Sequence, residues 1–351
     1  MKIQPFYPVK DRHSFHIDVQ ARYWVDYDSV EELRSVLNDA ADFGLPILPV
    51  GGGNNLLFVN DYPGILLHSC LRERTVLEEN DDAVLIKVGA GHNWDELVAW
   101  CVAQSWGGMQ NLSGIPGEVG ATPVQNIGAY GVEAKDIIEA VEVLDRTDLS
   151  QQTIAAADCD FGYRRSRFKT DWKDRYIVTH VHYRLSKKPV FQVNYGAVSA
   201  RLATQGGLKA GDDTQSVKDN LQLIRRTILA IRDEKLPDPA KVGNAGSFFM
   251  NPEVGKPQYL KLKSDYPDMP AWQLSDDRYK LSAAWLIDSC GWKGRRLDDA
   301  GVWPSQPLVL VNYGQAAGED ILSLARQIID DVSQKFSVTL RPEVIILGQE
   351  A

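Results

Sequence analysis

The sequence predicts an α+β fold, with helices and strands mixed along the chain and no internal repeat. Three observations carry this expectation. Apolar residues recur at helical spacing in some stretches and at strand spacing in others, with capping residues between them. Two glycine-rich stretches about sixty residues apart, PVGGGNNLLF from Pro49 and LSGIPGEVGATPVQNIGAYG from Leu112, interrupt that pattern as loops. The chain's 351 residues exceed a single typical core, so two or three domains are expected.

The elements follow in order. A strand-like run covers about Phe15 to Val25. A helix then spans Ser29 to Phe43: Asp28 and Glu31 read as a capping box, Val30, Leu33, Leu37 and Ala41 share a face, and Gly44 ends it. LPILPV leads as a strand into the first glycine turn, and Ala83–Val88 reads as another strand. Asn93 with Glu96 caps a second helix that carries apolar Leu97, Trp100 and Cys101, with Gly107 beyond its end. After the second glycine loop, Ala140–Leu144 and Tyr176–Leu185 read as strands bracketing the polar segment FGYRRSRF. The polar, glycine-bearing stretch Lys209–Val217 reads as a boundary, and an amphipathic helix runs from about Leu221 to Asp233. The last segment holds the strand PLVLVNYG and a helix over about Glu319–Lys335, with Ile321, Leu324, Ile328 and Val332 on one face. A final strand, VTLRPEVIIL, ends in an apolar run that suits a buried sheet.

Composition narrows the function. The chain is 44% hydrophobic and 24% charged, ordinary for a globular enzyme. Its net charge of −9 argues against nucleic acid, so an anionic ligand would have to meet local amides and a few placed cations. There is no apolar leader, and no window approaches eighteen uninterrupted apolar residues, so a cytoplasmic protein without a membrane partner is expected. Cys70, Cys101, Cys159 and Cys290 lack C-x-x-C spacing and read as buried thiols in a reducing compartment.

The candidate chemistry lies in five places. Three consecutive glycines before Asn54 and Asn55 make a turn rich in backbone amides, which can cradle an anion. The second stretch repeats the device with Gly114, Gly117, Gly120, Gly128 and Gly131, so a pyrophosphate gripped from two sides is one reading and a pair of tight turns the other. Neither stretch is a G-x-G-x-x-G or G-x-x-x-x-G-K-[ST] motif. GYRRSRF sets Arg164, Arg165 and Arg167 beside aromatics, either to hold a carboxylate or developing charge or as a solvated cationic loop. In GNAGSFFMNP a run of small residues leads to Ser247 and then into Phe248 and Phe249. With no histidine base near it in sequence, this hydroxyl suits a proton donor better than a nucleophile; its bland alternative is a turn serine. Glu343 is a carboxylate in an otherwise apolar strand, either paired, with Arg341 on the same face, or functional. His180 and His182 point to one face of their strand, but no third ligand stands at a metal-binding spacing, so no metal is expected. His13, His16, His68 and His92 show no nucleophile–base pattern, and there is no G-x-S-x-G elbow.

Together these segments resemble one family. PVGGGNNLLF resembles the phosphate-gripping turn of the flavoproteins that include vanillyl-alcohol oxidase. IPGEVGATPVQNIGAYGVE, GYRRSRF, LPDPAKVGNAGSFFMNP and LRPEVIIL, in this order, resemble the UDP-N-acetylenolpyruvoylglucosamine reductases of peptidoglycan synthesis. FQVNYGAV, with Tyr195, is similar to the substrate-covering loop of the longer, type I members. The resemblance implies a two-part FAD-binding domain of the vanillyl-alcohol oxidase/PCMH type plus an α+β substrate-binding domain. The implied parts are residues 1–70 completed by 336–351, residues 71–212, and residues 213–335 for the UDP-sugar. It places Arg164, Ser247 and Glu343 in catalytic roles. It places FAD against Gly51, Gly52, Gly53, Asn54, Asn55 and Leu56 of the first turn. In the second loop the flavin contacts are Ile115, Pro116, Gly117, Gly120, Ala121, Gln125, Asn126, Gly128, Ala129 and Gly131, with Ile177 beyond. Tyr163, Tyr195, Lys235, Asn251 and Gln306 match substrate-binding positions. Two departures stand out: Asn54 replaces a common serine, and Met250 stands where a lysine is expected.

The implied reaction uses non-covalent FAD and NADPH as co-substrate, and it feeds cell wall biogenesis, cell shape and cell division. NADPH reduces the flavin and leaves, and the enolpyruvyl ether of UDP-N-acetylglucosamine takes its place and accepts hydride at the vinyl methylene carbon. Arg164 and Glu343 stabilise the enol-like intermediate, and Ser247 supplies the proton from within about 3 Å. A monomer acting on small molecules is expected. An oxidase of the same superfamily, many of which tether FAD through histidine, is countered by glycine loops that contain none. A non-catalytic sugar-nucleotide sensor would lack one of the three catalytic residues, and all are present.

Overall fold

The computed structural model describes residues 2–348. It mixes helices and sheets in two compact units. The first takes the chain through Tyr7, then Ala21–Gly52 and Pro63–Arg232; the second takes Pro8–Gln20, Gly53–Tyr62 and the chain from Asp233 onward. Among the described residues, no helix is long and apolar enough to cross a membrane.

In the first unit, β1 (Lys2–Pro8) and β2 (Gln20–Tyr27) precede α1 (Val30–Phe43) and β3 (Ile47–Val50). Past β4 (Leu56–Phe58), which lies in the second unit, β5 (Tyr62–Ser69) completes a sheet of order β1-β2-β5-β3, with β3 parallel to β5. α1 buries Leu33, Val36 and Leu37 in a cluster with Val25, Tyr27, Ile65 and Leu67. Its cap sits one residue later than the sequence suggests. Ser29 is extended and its side chain accepts from the Glu32 amide, while the Glu32 carboxylate accepts from the Asp28 amide at 2.9 Å. Gly44 ends the helix at φ +61° as expected; the Ala41 side chain lies outside the described residues.

The same unit continues with β6 (Arg74–Glu79), β7 (Ala83–Gly89) and α2 (Trp94–Ala103), whose N-cap Asn93 accepts from the Glu96 amide. The second glycine loop contains the short α3 (Ala121–Gln125) and the hairpin of β8 (Gly128–Ala129) and β9 (Val132–Glu133). β10 (Ile138–Asp145), β11 (Gln151–Ala155) and β12 (Tyr176–Ser186) complete a sheet of order β11-β10-β12-β7-β6. α2 packs Trp94, Leu97 and Cys101 into a core with Ile86, Val88, Val141 and Tyr183. Then come α4 (Gly196–Thr204) and α5 (Thr214–Lys235), joined through Val198, Leu202, Ile224 and Ile228. α5 starts inside the polar stretch that reads as a boundary. Asp213 explains this, since its carboxylate accepts from the amides of Gln215 and Ser216 and caps the helix.

The second unit holds β13 (Gly243–Ser247), β14 (Glu253–Gly255), α6 (Lys256–Asp265), β15 (Ala271–Ser275), β16 (Arg278–Leu281) and α7 (Ala283–Ser289). It continues with β17 (Arg296–Leu297), β18 (Ala300–Val302), β19 (Val309–Asn312), α8 (Gly318–Phe336) and β20 (Ile345–Leu347). Its sheets run β13-β19-β18-β17 and β14-β16-β15, and β20 pairs in parallel with β4. α8 buries Ile321, Leu324, Ile328 and Val332, the face its spacing predicts. Two strands differ from the sequence reading. Phe15 and Ile17 are buried but not in a strand, because His16 takes φ +55° and breaks the extended run. The final strand shrinks to Ile345–Leu347, since Pro342 has no amide to donate and forms an isolated bridge with Phe249.

Candidate active site

Arg164 is built onto the second glycine loop within the first unit. Gly162 and Arg165 exchange two backbone hydrogen bonds of 3.0 Å, which puts Tyr163 and Arg164 at the tip of a tight turn. Arg164 takes φ +53°, a backbone that costs a non-glycine residue energy and is held here by its surroundings. Its Nη2 donates to the Gly128 carbonyl at 3.0 Å, and its guanidinium lies over the Tyr163 ring. Three further bonds fasten the segment to the loop: Ser166 Oγ to the Val124 carbonyl, Lys169 Nζ to Gln125 Oε1, and Asn126 Nδ2 to the Gly162 carbonyl. Asn126 is fully buried and also binds Glu133 and the Lys135 amide, so its side chain organises the loop itself. Ser166 and Lys169 have no counterpart in the sequence reading, although both lie inside or beside GYRRSRF.

The loop's amides divide between structure and surface. Val119 and Gly120 donate to the carbonyls of His92 and Ala90, which ties the loop to the end of β7 and the start of α2. Pro116, Ala121 and Gly131 are exposed, while Ile115, Gly117, Gly128 and Ala129 are half-buried. Gly131 has φ +84°, and a Cβ there would meet nothing within 4 Å. Tyr195 precedes α4, is 53% exposed, and stacks edge-on with Tyr130 of this loop at 5.5 Å. Buried Asn111 joins the two by donating to the carbonyls of both Tyr130 and Gln192. Ile177, by contrast, is buried in the core beneath α1.

The first glycine turn straddles the units, with Gly51 and Gly52 in the first and Gly53, Asn54 and Asn55 in the second. Gly53 takes φ +64°, and a Cβ there would stand 2.2 Å from the Arg12 carbonyl oxygen, so only glycine passes. Asn55 does structural work. Its Nδ2 donates to the Glu343 carbonyl, and its own carbonyl accepts from the Ile345 amide at 3.0 Å.

That contact leads to Ser247 and Glu343, which the second unit brings side by side. Ser247 ends β13 opposite Val309, after Gly246, whose amide donates to Asn244 Oδ1. The following residue, Phe248, accepts from the Glu343 amide at 2.7 Å, and the Met250 amide donates to the Arg341 carbonyl. Both side chains are half-buried on backbones fixed in register, beside buried Phe248 and Phe249 in sequence or pairing. Arg341 is exposed. Of the substrate candidates in this unit, Lys235 is exposed at the end of α5, and Asn251 Oδ1 accepts from the Ala283 amide at the start of α7. Gln306 lies in the turn before β19, where its Oε1 faces the Leu308 amide.

Two charge networks in the first unit involve histidines. His180 and His182 do share a face, and both reach Glu142, at 3.2 and 2.8 Å, with Lys87 at 3.1 Å. Hydrogen bonds from the two histidines hold the Glu142 carboxyl far below its ordinary value. His68 sits between Asp26 and Glu118. Sequence reading passed over Asp26 and Glu118, since the partners come from three separate segments.

Residues 21–149 match the family model of an FAD binding domain, and residues 238–347 match that of the UDP-N-acetylenolpyruvoylglucosamine reductase C-terminal domain. A UDP-N-acetylenolpyruvoylglucosamine reductase of Bacteroides fragilis is 44% identical over 338 residues, 96% of this chain and 98% of that protein. The one from Porphyromonas gingivalis is 40% identical over 344 residues, 98% of this chain and 99% of that protein. The one from Pseudomonas aeruginosa is 41% identical over 343 residues, 98% of each. Among solved structures, the UDP-N-acetylenolpyruvylglucosamine reductase of Thermus caldophilus aligns with 99% of this chain and 100% of its own, at a TM-score of 0.69 and 23% identity, a likeness of fold. On the strength of identity that runs almost end to end, the chain belongs to the UDP-N-acetylenolpyruvoylglucosamine reductase family.

Proposed function

We propose that this chain reduces UDP-N-acetylenolpyruvoylglucosamine to UDP-N-acetylmuramate with NADPH, an oxidoreductase step in making peptidoglycan precursors. The observation that carries the reading is the 44% identity to a reductase of that name across 96% of the chain. Bound FAD would supply the hydride chemistry between NADPH and the vinyl methylene carbon of the substrate.

The protein's own residues handle charge and the proton. As the methylene carbon gains hydride, electron density moves onto the adjacent carbon and its carboxylate. The Arg164 guanidinium, preset by the Gly128 carbonyl and the Tyr163 ring, would meet that charge. Glu343 would polarise the enol-like form, either protonated or through a water. Ser247 would then give its hydroxyl proton to the carbon that becomes the lactyl stereocentre, and the paired strands β13 and β19 hold it still for that transfer. Tyr163, Tyr195, Lys235, Asn251 and Gln306 would hold the sugar nucleotide, and Met250 leaves one expected cation missing. Flavin would lie non-covalently on the two glycine loops, with residues 1–70 and 336–351 forming one part of its domain, 71–212 the other, and 213–335 binding the UDP-sugar. We place the enzyme in the cytoplasm as a monomer, where its product would support cell shape and division.

Stopped-flow comparison of the two half-reactions in Ser247→Ala tests the assignment. Reduction of flavin by NADPH should stay near normal, while reoxidation by the enolpyruvyl sugar should slow by ~10²–10⁴, the range for a lost general acid. Ser247→Cys should recover part of the loss. Normal reoxidation in Ser247→Ala would remove Ser247 from the mechanism.

A further inference from the structure

Glu118 stands inside the second glycine loop, in the segment P-G-E-V-G. Its side chain is only 14% exposed, and Oε1 lies 3.1 Å from His68 Nε2. The other ring nitrogen, Nδ1, lies 2.8 Å from Asp26 Oδ1, and that oxygen also accepts from Trp24 Nε1 at 2.9 Å. The Trp24 ring packs against the imidazole, with centroids 5.4 Å apart. A ring with a carboxylate oxygen at each nitrogen satisfies both only by donating twice, so it holds both protons. Asp26, His68 and Cys70 place ligand atoms within 4.8 Å of one another, but a doubly donating ring has no lone pair left for a metal ion.

The far oxygen of Glu118 reaches the first turn. A Cβ built on Gly51 would stand 3.3 Å from Glu118 Oε2, so glycine leaves the carboxylate room to lie there. One imidazole therefore ties β2, β5, the second loop and Gly51 together, all within the first unit. We propose that His68 is a positioning residue for the flavin: its two donated hydrogen bonds hold Glu118, and with it the second glycine loop, against Gly51 of the first turn. The proposal rests on the reading that these two loops hold FAD. Without the proton on His68, Asp26 and Glu118 would face each other as like charges across the ring, and the loop would move off the turn.

The groups around the ring decide which titration would be seen. Asp26, Glu118 and the Cys70 thiol face it, Tyr27 lies beyond, and Asp28 and Arg72 act on Cys70. Burial pushes the Cys70 thiol up and the Tyr27 phenol to about 12, which holds both back from ionising. Burial alone would make His68 less basic, yet the hydrogen bonds and charges of Glu118 and Asp26 raise it above the ordinary histidine value. Flavin affinity should then be flat at lower pH and fall as pH rises through that raised value.

The test is titration of apoprotein with FAD, followed by flavin fluorescence from pH 6 to 9, as a double-mutant cycle. At pH 7, His68→Asn should weaken FAD at least about tenfold, Glu118→Gln should weaken it too, and the double variant should be no weaker than His68→Asn. Both single variants should lose the wild-type pH dependence, which a merely structural defect would leave in place. If His68→Asn does not fold, Glu118→Gln decides alone, by weaker binding and a flat pH profile. Wild-type affinity and pH profile in the folded variants, or additive losses in the double variant, would overturn the proposal. Ala121→Trp, on the exposed side of the loop and outside this cluster, separates the two readings. If it keeps wild-type affinity, the flavin is not seated on the loop; if it loses FAD while His68→Asn keeps it, only the role of His68 fails.

Discussion

His13 makes the protein's stability depend on pH in a way that can be calculated. The side chain is 2% exposed in the second unit, with its ring tilted on Phe58 at 5.0 Å. Nε2 faces the Ile17 carbonyl at 3.1 Å, while Nδ1 is buried with no partner. Burial is the main cause that lowers its pKa to about 4, against the bond to Ile17, and the nearby His16 lowers it a little more. An imidazolium here would strand a second N–H without an acceptor. The sign follows. Below pH 6.5 the unfolded chain takes up a proton that the folded chain refuses until about pH 4, so stability present above 6.5 is lost as pH falls toward 4. A shift of about 2.5 pH units has a limit of roughly 3.4 kcal/mol, of which roughly 2.5 kcal/mol is lost by pH 4.5. Urea unfolding at pH 7.5 and pH 4.5 measures it against His13→Gln, which keeps a donor for Ile17 but does not titrate. Wild type should lose roughly 2.5 kcal/mol more than the variant across that interval. Equal losses would mean that His13 is protonated freely in the folded state and that the burial argument is wrong.

Two further outcomes are expected. Tyr195, exposed beside Tyr130, should contribute its hydroxyl to the sugar nucleotide, so Tyr195→Phe should raise the Kd for the UDP-sugar by roughly tenfold, the worth of one good hydrogen bond. Flavin reduction by NADPH should not change; equal loss in both half-reactions would mark a structural tyrosine. FAD should leave the chain on mild acid or heat, because neither glycine loop carries a histidine, and flavin that stays with the denatured protein would contradict this.

What the sequence made legible was local. Helix caps depend on residues three or four apart, so Asn93 with Glu96 is found correctly and Ser29 is missed by one position. The face of α8 follows from its period alone. Long-range pairing left fainter traces. Nothing in Asp26, His68 and Glu118 marks them as partners, because each sits in ordinary surroundings within its own segment. In the polar stretch that reads as a boundary, Asp213 also caps α5, a role that depends on geometry rather than composition.

Asn55 shows how a residue in a ligand-like motif can carry a second role. In a turn rich in glycine, an asparagine reads as one more polar group facing a ligand. Its side chain holds the Glu343 carbonyl, and its backbone holds Ile345, so the turn sets the position of the C-terminal strand. The same strand reaches Phe248 through the Glu343 amide, one residue from Ser247. A substitution at Asn55 would therefore disturb the neighbours of two proposed catalytic groups before it disturbed any contact with a ligand. Loss of activity there says little about phosphate binding unless FAD affinity is measured separately, since the glycine turn is linked toward the proposed proton donor by one hydrogen bond from the Asn55 side chain and two between backbones.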